Sequence, residues 1–111
     1  MKGKMILIQS EGLGRGDDRL GALLMANFLR LLAESQEKPG SLVFWNTGVR
    51  LVCEGSLVRA HLERLEQQGI EVLACTTCLE YYGLTGKVAV GKPTTMVKSI
   101  QSMLDGDVIT L

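Results

Sequence analysis

Only three cysteines and one histidine in this 111-residue chain suit thiol or soft-metal chemistry. Two of the cysteines form the short motif Cys75-Thr76-Thr77-Cys78. Such a pair can be a redox dithiol, half of a zinc site, or a reactive thiol with a neighbour. Structural zinc normally takes four ligands, from two such pairs or from one pair plus histidines at set spacing. Cys53 and His61 are all that remain to complete a site, and their spacing fits no standard pattern, so no metal is expected. Thioredoxin-like motifs carry their own local chemistry, such as a proline between the cysteines, where this chain has Thr76 and Thr77. The plain alternative is two buried, inert thiols, because free cysteine is among the most buried residue types. A lone His61, flanked by charged residues in a helical stretch, removes most histidine-based mechanisms and reads as a surface residue. Cys53 reads as buried.

The position of the pair separates its members. The apolar run Ile70-Glu71-Val72-Leu73-Ala74 reads as a buried strand, and a short helix is expected from Cys78 to Tyr82, ended by Gly83. The sulfurs then lie at the carboxyl end of a strand, where open α/β sheets place their chemistry. Cys75, at the last strand position, is the more buried of the two. Cys78, in the first helical turn, is the more exposed, and free helix-terminal N–H groups there favour thiolate over thiol. The hydroxyls of Thr76 and Thr77 are further candidates to stabilise the anion. An accessible, low-pKa thiol suits attack on sulfur electrophiles and carriage of a terminal sulfur as a persulfide.

The rest of the chain alternates strand and helix. Met5-Ile6-Leu7-Ile8 is an unalternating apolar run, as expected of a strand covered on both faces. The loop Ser10-Glu11-Gly12-Leu13-Gly14-Arg15-Gly16-Asp17-Asp18 leads into a helix to about Glu34, with Leu20, Leu24, Asn27/Phe28 and Leu31 at helical spacing as its buried face. Leu42-Val43-Phe44-Trp45 is a second strand, followed by Asn46-Thr47-Gly48 and a mixed stretch from Val49 to Glu54. Ser56 is placed as N-cap of a helix over residues 57–68, with Val58, Leu62 and Leu65 on one face and Gly69 ending it. A fourth strand is expected at Lys87-Val88-Ala89-Val90. Pro93 is expected in the first turn of a helix to about Leu104, with Val97, Ile100 and Met103/Leu104 buried and Thr94 and Thr95 near its cap. Val108-Ile109-Thr110-Leu111 is the last strand. This order predicts an α/β fold: a three-layer α/β/α domain on a mostly parallel five-stranded sheet, occupying residues 1–111 as one domain.

In a parallel sheet every loop that follows a strand opens on one edge. Residues 11–16, 46–48, 75–78 and 91–95 therefore converge, which makes Gly14, Arg15, Asn46, Thr94 and Thr95 candidate substrate-binding residues beside Thr76 and Thr77. The glycine-rich loop fails the dinucleotide fingerprint, because Asp17 stands where a third glycine belongs. Paired aspartates at the helix start also disfavour a pyrophosphate, and the P-loop lysine is missing.

Composition narrows the partners. Twelve basic and twelve acidic residues cancel, so no clustered positive field invites nucleic acid or an anionic membrane. No apolar run approaches a membrane span, and Met1-Lys2-Gly3-Lys4 leads into too few apolar residues for a signal core. The expected compartment is cytoplasmic. The stretch Leu20-Gly21-Ala22-Leu23-Leu24-Met25-Ala26 is apolar on more than one helical face, which points to a homo-oligomer.

Thr77-Cys78-Leu79-Glu80-Tyr81-Tyr82-Gly83-Leu84 resembles the active-site signature of the DsrE-like sulfur-relay family, most of all the DsrE-like domain of YedF-type proteins associated with selenium metabolism. Leu13-Gly14-Arg15-Gly16-Asp17, Asn46-Thr47-Gly48-Val49, Glu54-Gly55-Ser56 and the stretch from Val90-Gly91 to Thr94-Thr95-Met96 are similar landmarks. Thr95 stands where the family pattern leads one to expect asparagine, and no TusA-like sulfur-carrier domain precedes this one. The resemblance implies a self-associating three-layer domain, and no cofactor is expected. It implies that Cys78 accepts sulfur from one carrier and passes it to another, a TusA-like protein being donor or acceptor, with Cys75 as an accompanying thiol. The expectation is therefore a sulfurtransferase-like carrier of sulfur or selenium. A non-catalytic oligomeric assembly subunit and a dithiol redox protein using Cys75 and Cys78 stand as alternatives.

Overall fold

The computed structural model describes residues 3–111. Met1 and Lys2, the start of the segment judged too short for a signal core, lie outside the described residues. Five strands form one sheet: β1 (Met5–Ile8), β2 (Ser41–Phe44), β3 (Glu71–Cys75), β4 (Lys92–Thr94) and β5 (Val108–Thr110). Their spatial order is β4-β3-β2-β1-β5, and every neighbouring pair is parallel. The helices are α1 (Asp18–Glu34), α2 (Arg59–Gln67), α3 (Thr76–Tyr81) and α4 (Met96–Asp105), with a 3-10 segment at Asn46–Val52.

Chirality explains the layers. Parallel crossovers are right-handed, so steps taken in one direction across the sheet place their helices on one face. The steps from β1 to β4 all run one way, and α1, α2 and α3 share a face. There Met25, Leu29, Leu62, Leu65 and Leu79 pack on Ile6, Ile8, Leu42, Phe44 and Val72 in one buried cluster. The return from β4 to β5 runs the other way, which sends α4 to the opposite face. That second cluster is smaller: Met5, Leu7 and Val43, packed by Trp45, Leu73 and Met103.

The alternating strand–helix order, the sheet and its five strands match the expectation, and α2 buries Leu62 and Leu65 as its spacing implied, with Val58 buried just before it. Four local expectations need correction. The strand expected at residues 87–90 is not in the sheet. Val88 instead pairs antiparallel with Cys53, and the N–H groups of Ala89 and Val90 bond to the Val52 carbonyl. That apolar run is used up covering the end of the 3-10 segment. Pro93 is not helical but lies in β4, where an edge strand tolerates the missing N–H, and Thr95 caps α4 by accepting from the Lys98 N–H at 3.2 Å. Ser56 accepts from the Val58 N–H as a local turn, so α2 starts three residues beyond it.

The fourth correction concerns which helix faces are inward. The buried residues of α1 are Gly21, Met25, Leu29 and Ala33, whereas Leu20 is 52% exposed and Leu31 51%. Gly21 decides this register. A Cβ there would lie 3.2 Å from the Leu13 carbonyl oxygen, so the loop packs on the one position of α1 without a side chain. On α4 only Ser99 is buried, while Val97 and Ile100 are open and Leu104 is 84% exposed.

Leu29→Ala is therefore expected to cost about 2–5 kcal/mol of folding free energy. Leu24→Ala, on the open face, should cost well under about 1 kcal/mol in the dissociated chain. Denaturant unfolding of the two variants measures the difference, and equal losses would contradict this placement of α1.

Candidate functional site

Cys75 closes β3 and Cys78 follows in the first turn of α3. Cys75 is buried and Cys78 half-buried, with both thiols free. This is the division of exposure expected from a strand-to-helix junction.

A hydrogen bond reaches the Cys78 sulfur from another element. The backbone N–H of Asn46, at the start of the 3-10 segment, donates to Sγ at 3.1 Å. Asn46 has φ 55, a left-handed conformation that asparagine tolerates better than most residues. Its Oδ1 accepts from the Tyr82 hydroxyl at 3.0 Å and from the Thr47 N–H at 2.8 Å. Two bonds fix the segment on the sheet edge: the Trp45 N–H reaches the Ile8 carbonyl at 3.0 Å, and the Gly48 N–H reaches the Trp45 carbonyl at 2.9 Å. A Cβ at Gly48 would lie 2.5 Å from that Ile8 oxygen, so only glycine allows the approach. Arg50 places its guanidinium 4.7 Å from the centre of the Tyr82 ring and pairs with Glu11 at 3.7 Å.

The electrostatics correct the expectation of a lowered thiol pKa. Burial pushes the Cys78 thiol above its ordinary value, and the neighbouring Cys75 pushes the same way. The amides of Asn46 and of Cys78 itself oppose this shift without reversing it. Cys53 is buried, as expected, with its thiol donating to the Val49 carbonyl at 3.2 Å. Burial raises it, and the Glu54 charge raises it further.

The remaining predicted site residues fall into separate groups. Thr76 is half-buried and Thr77 exposed at the start of α3. Thr94 is buried and lies opposite Cys75 across the β3–β4 ladder. Thr95 spends its side chain on the cap of α4. Gly14 and Arg15 line a groove of about 880 Å³ with Ser10, Glu11, Asp17 and Thr47. That groove includes Leu111, so it sits between the carboxyl ends of β1 and β5, where the strand order reverses. Its lining stops at Thr47 and does not include Cys78. Among the described residues no group of three or more His, Cys, Asp or Glu gathers as a metal site. No helix among them is long and apolar enough to cross a membrane.

The partnership of Asn46, Tyr82 and Arg50 is not visible in the sequence as chemistry. Tyr82 enters there only as the end of the short helix and as part of the family-like segment around Cys78. The available signals were an Asn-Thr-Gly loop able to hold a positive φ, and Arg50 four residues beyond Asn46.

No protein-family model and no curated protein matches the chain. Solved structures do resemble it. The ychN protein from E. coli superposes with a TM-score of 0.76 at 20% identity, over 100% of both chains. A protein of unknown function from Methanobacterium thermoautotrophicum, MTH1491, gives 0.72 at 20% identity, again over 100% of both. A conserved protein of unknown function from Bacteroides thetaiotaomicron, BT1422, gives 0.63 at 15% identity, over 98% of this chain and 95% of that one. At these identities the likeness is one of fold: the parallel five-stranded α/β architecture of this chain is shared by the three proteins.

Proposed function

We propose that this chain is a cytoplasmic carrier of sulfur, or of selenium by the same chemistry, that holds its cargo as a persulfide on Cys78. The observation that carries the reading is the half-buried Cys78 sulfur facing the Asn46 amide at 3.1 Å. The DsrE-like resemblance of the segment around Cys78 supplies the reaction class. In the loading step the Cys78 thiolate attacks the terminal sulfur of a donor persulfide. A bond forms from Sγ to that sulfur, the donor's S–S bond breaks, and the donor leaves as a thiolate. A TusA-like carrier fits as donor or acceptor. A thiol of raised pKa is less ionised at neutral pH, but its thiolate is the stronger nucleophile. Cys75 lies beside it and can attack the Cys78 inner sulfur, releasing hydrosulfide and leaving a Cys75–Cys78 disulfide.

Self-association belongs to the same reading. Leu20, Leu23, Leu24 and Leu31 on α1 and Val97, Ile100 and Leu104 on α4 leave apolar surface on both faces of the fold. The second reading, a non-catalytic assembly subunit, is favoured by that surface together with the raised Cys78 thiol.

Incubation with a persulfide donor should add about one sulfur mass to Cys78, and Cys78→Ser should abolish the gain. Unchanged loading of that variant would sink the carrier reading. Because burial favours the neutral thiol, alkylation of Cys78 by iodoacetamide should keep rising with pH beyond the point where free cysteine levels off. A Cys78 that stays unlabelled even at alkaline pH would favour the assembly subunit. Light scattering after gel filtration should give a mass above that of one chain, and Leu20→Asp/Leu24→Asp should lower it toward the monomer.

A further inference from the structure

The contacts around Cys78 form a chain that reaches the sulfur from outside its own helix. Asn46 is the one non-glycine residue with positive φ among the described residues. Such a backbone persists where the surroundings over-determine it. Here they do so from both sides: Trp45 is tied to Ile8 upstream, Gly48 is pressed on that same carbonyl downstream, and the Tyr82 hydroxyl holds the side chain. Tyr82 is itself held, with Arg50 over its ring and Tyr81 edge-on at 5.1 Å between ring centres. None of these residues needs a substrate to take up its place.

We propose that Asn46 and Tyr82 are positioning residues for the Cys78 thiolate: by holding the Asn46 carboxamide, the Tyr82 hydroxyl keeps the Asn46 N–H aimed at the sulfur as it takes on negative charge. The proposal rests on Cys78 being the working thiol. It gives Asn46 a role toward the protein's own nucleophile instead of the substrate contact expected from its loop. An N–H donor bonds more strongly to an anionic acceptor than to a neutral one, so this contact strengthens on ionisation and opposes the effect of burial. The titratable or charged groups on the elements around Cys78 are Cys75 and, at the far end of the strand, Glu71 on β3, Glu80, Tyr81 and Tyr82 on or beside α3, and Arg50 on the 3-10 segment. Glu11 lies beyond Arg50 as its ion-pair partner. Asn46→Gly leaves all of these groups in place, and Tyr82→Phe removes only the Tyr82 phenol.

The test is the pH profile of Cys78 alkylation by uncharged iodoacetamide, read by peptide mass spectrometry. Tyr82→Phe removes only the hydroxyl, and Asn46→Gly keeps the positive φ and the N–H but removes the tethered side chain. Each is expected to move the profile to higher pH, slowing labelling at pH 7 by about 2- to 4-fold while the limiting alkaline rate stays the same or rises slightly, because the less stabilised thiolate is the stronger nucleophile. Both changes break one link, so the double variant should move the profile no further than the larger single shift. An unmoved profile in either folded variant, or additive shifts in the double variant, would overturn the proposal. Labelling of buried Cys53 reports loss of fold, and Asn46→Gly, which fits its backbone without strain, decides the case if Tyr82→Phe unfolds. Absent persulfide loading of the unsubstituted protein, with the alkylation profiles of the two variants shifted as expected, would overturn the carrier reading alone. Intact loading with no alkylation shift would overturn this one alone.

Discussion

The handedness of the β-crossover is the constraint on which this structure depends. Three successive steps in one direction stack α1, α2 and α3 on one face, and the single reversal after β4 leaves only α4 for the other. The two faces are therefore unequally covered. One carries a deep core from Ile6 to Val90, while the other buries Met5, Leu7 and Val43 beneath one helix whose apolar residues are largely open. The same reversal sets the sheet's crevice between β1 and β5, two strands away from the thiols that end β3. Convergence of the loops on one edge is thus real, but an edge is a line several strands long and not a single pocket.

Elements whose pattern answers to burial on a face were legible in the sequence. β1 is apolar at every position because both faces are covered, and α2 shows its inward stripe at Leu62 and Leu65 because its outer face is charged. The face of α1 was not legible for the opposite reason. Leucines surround it, so periodicity offers two solutions, and the contact of Leu13 and Gly12 with Gly21 chooses between them. On α4 the small residue again faces inward, at Ser99, against the more hydrophobic alternative of Val97 and Ile100. The fourth strand was misplaced because Val88-Ala89-Val90 is apolar for a tertiary reason: it pairs with residues 52 and 53, and the sheet takes the less apolar Lys92–Thr94.

The candidate site was legible in one dimension only. A strand-to-helix cysteine pair predicts which thiol is buried and which is reachable, and that ordering holds for Cys75 and Cys78. It does not predict thiol acidity, because desolvation depends on everything packed around the sulfur. Six residues of α3 offer little helix dipole, and burial outweighs the two amides that face the sulfur. The donor from Asn46 comes from a segment 32 positions away in sequence, and no local pattern announces such a contact. What the sequence does carry is permission: an asparagine that tolerates φ 55 and, two residues on, a glycine at the one place where a Cβ would strike Ile8.

These contacts also join two regions that the strand order keeps apart. From Cys78 the path runs through the Asn46 amide and carboxamide to Tyr82, across its ring to Arg50, and on to Glu11 at the rim of the β1–β5 groove. Thr47, whose N–H bonds to the same Asn46 oxygen, lines that groove as well. The outer links are weak, since the Arg50–Glu11 pair is solvent-exposed and contributes on the order of 0–1 kcal/mol. The inner links are short and fixed by the Ile8 carbonyl, to which both Trp45 and Gly48 are fitted. A change at Glu11 would thus be damped through the exposed pair before it reached the sulfur, whereas a change at Asn46 or Tyr82 would reach it directly. The environment of Cys78 is set by the junction of β1, β2 and the 3-10 segment more than by the short helix that carries the thiol.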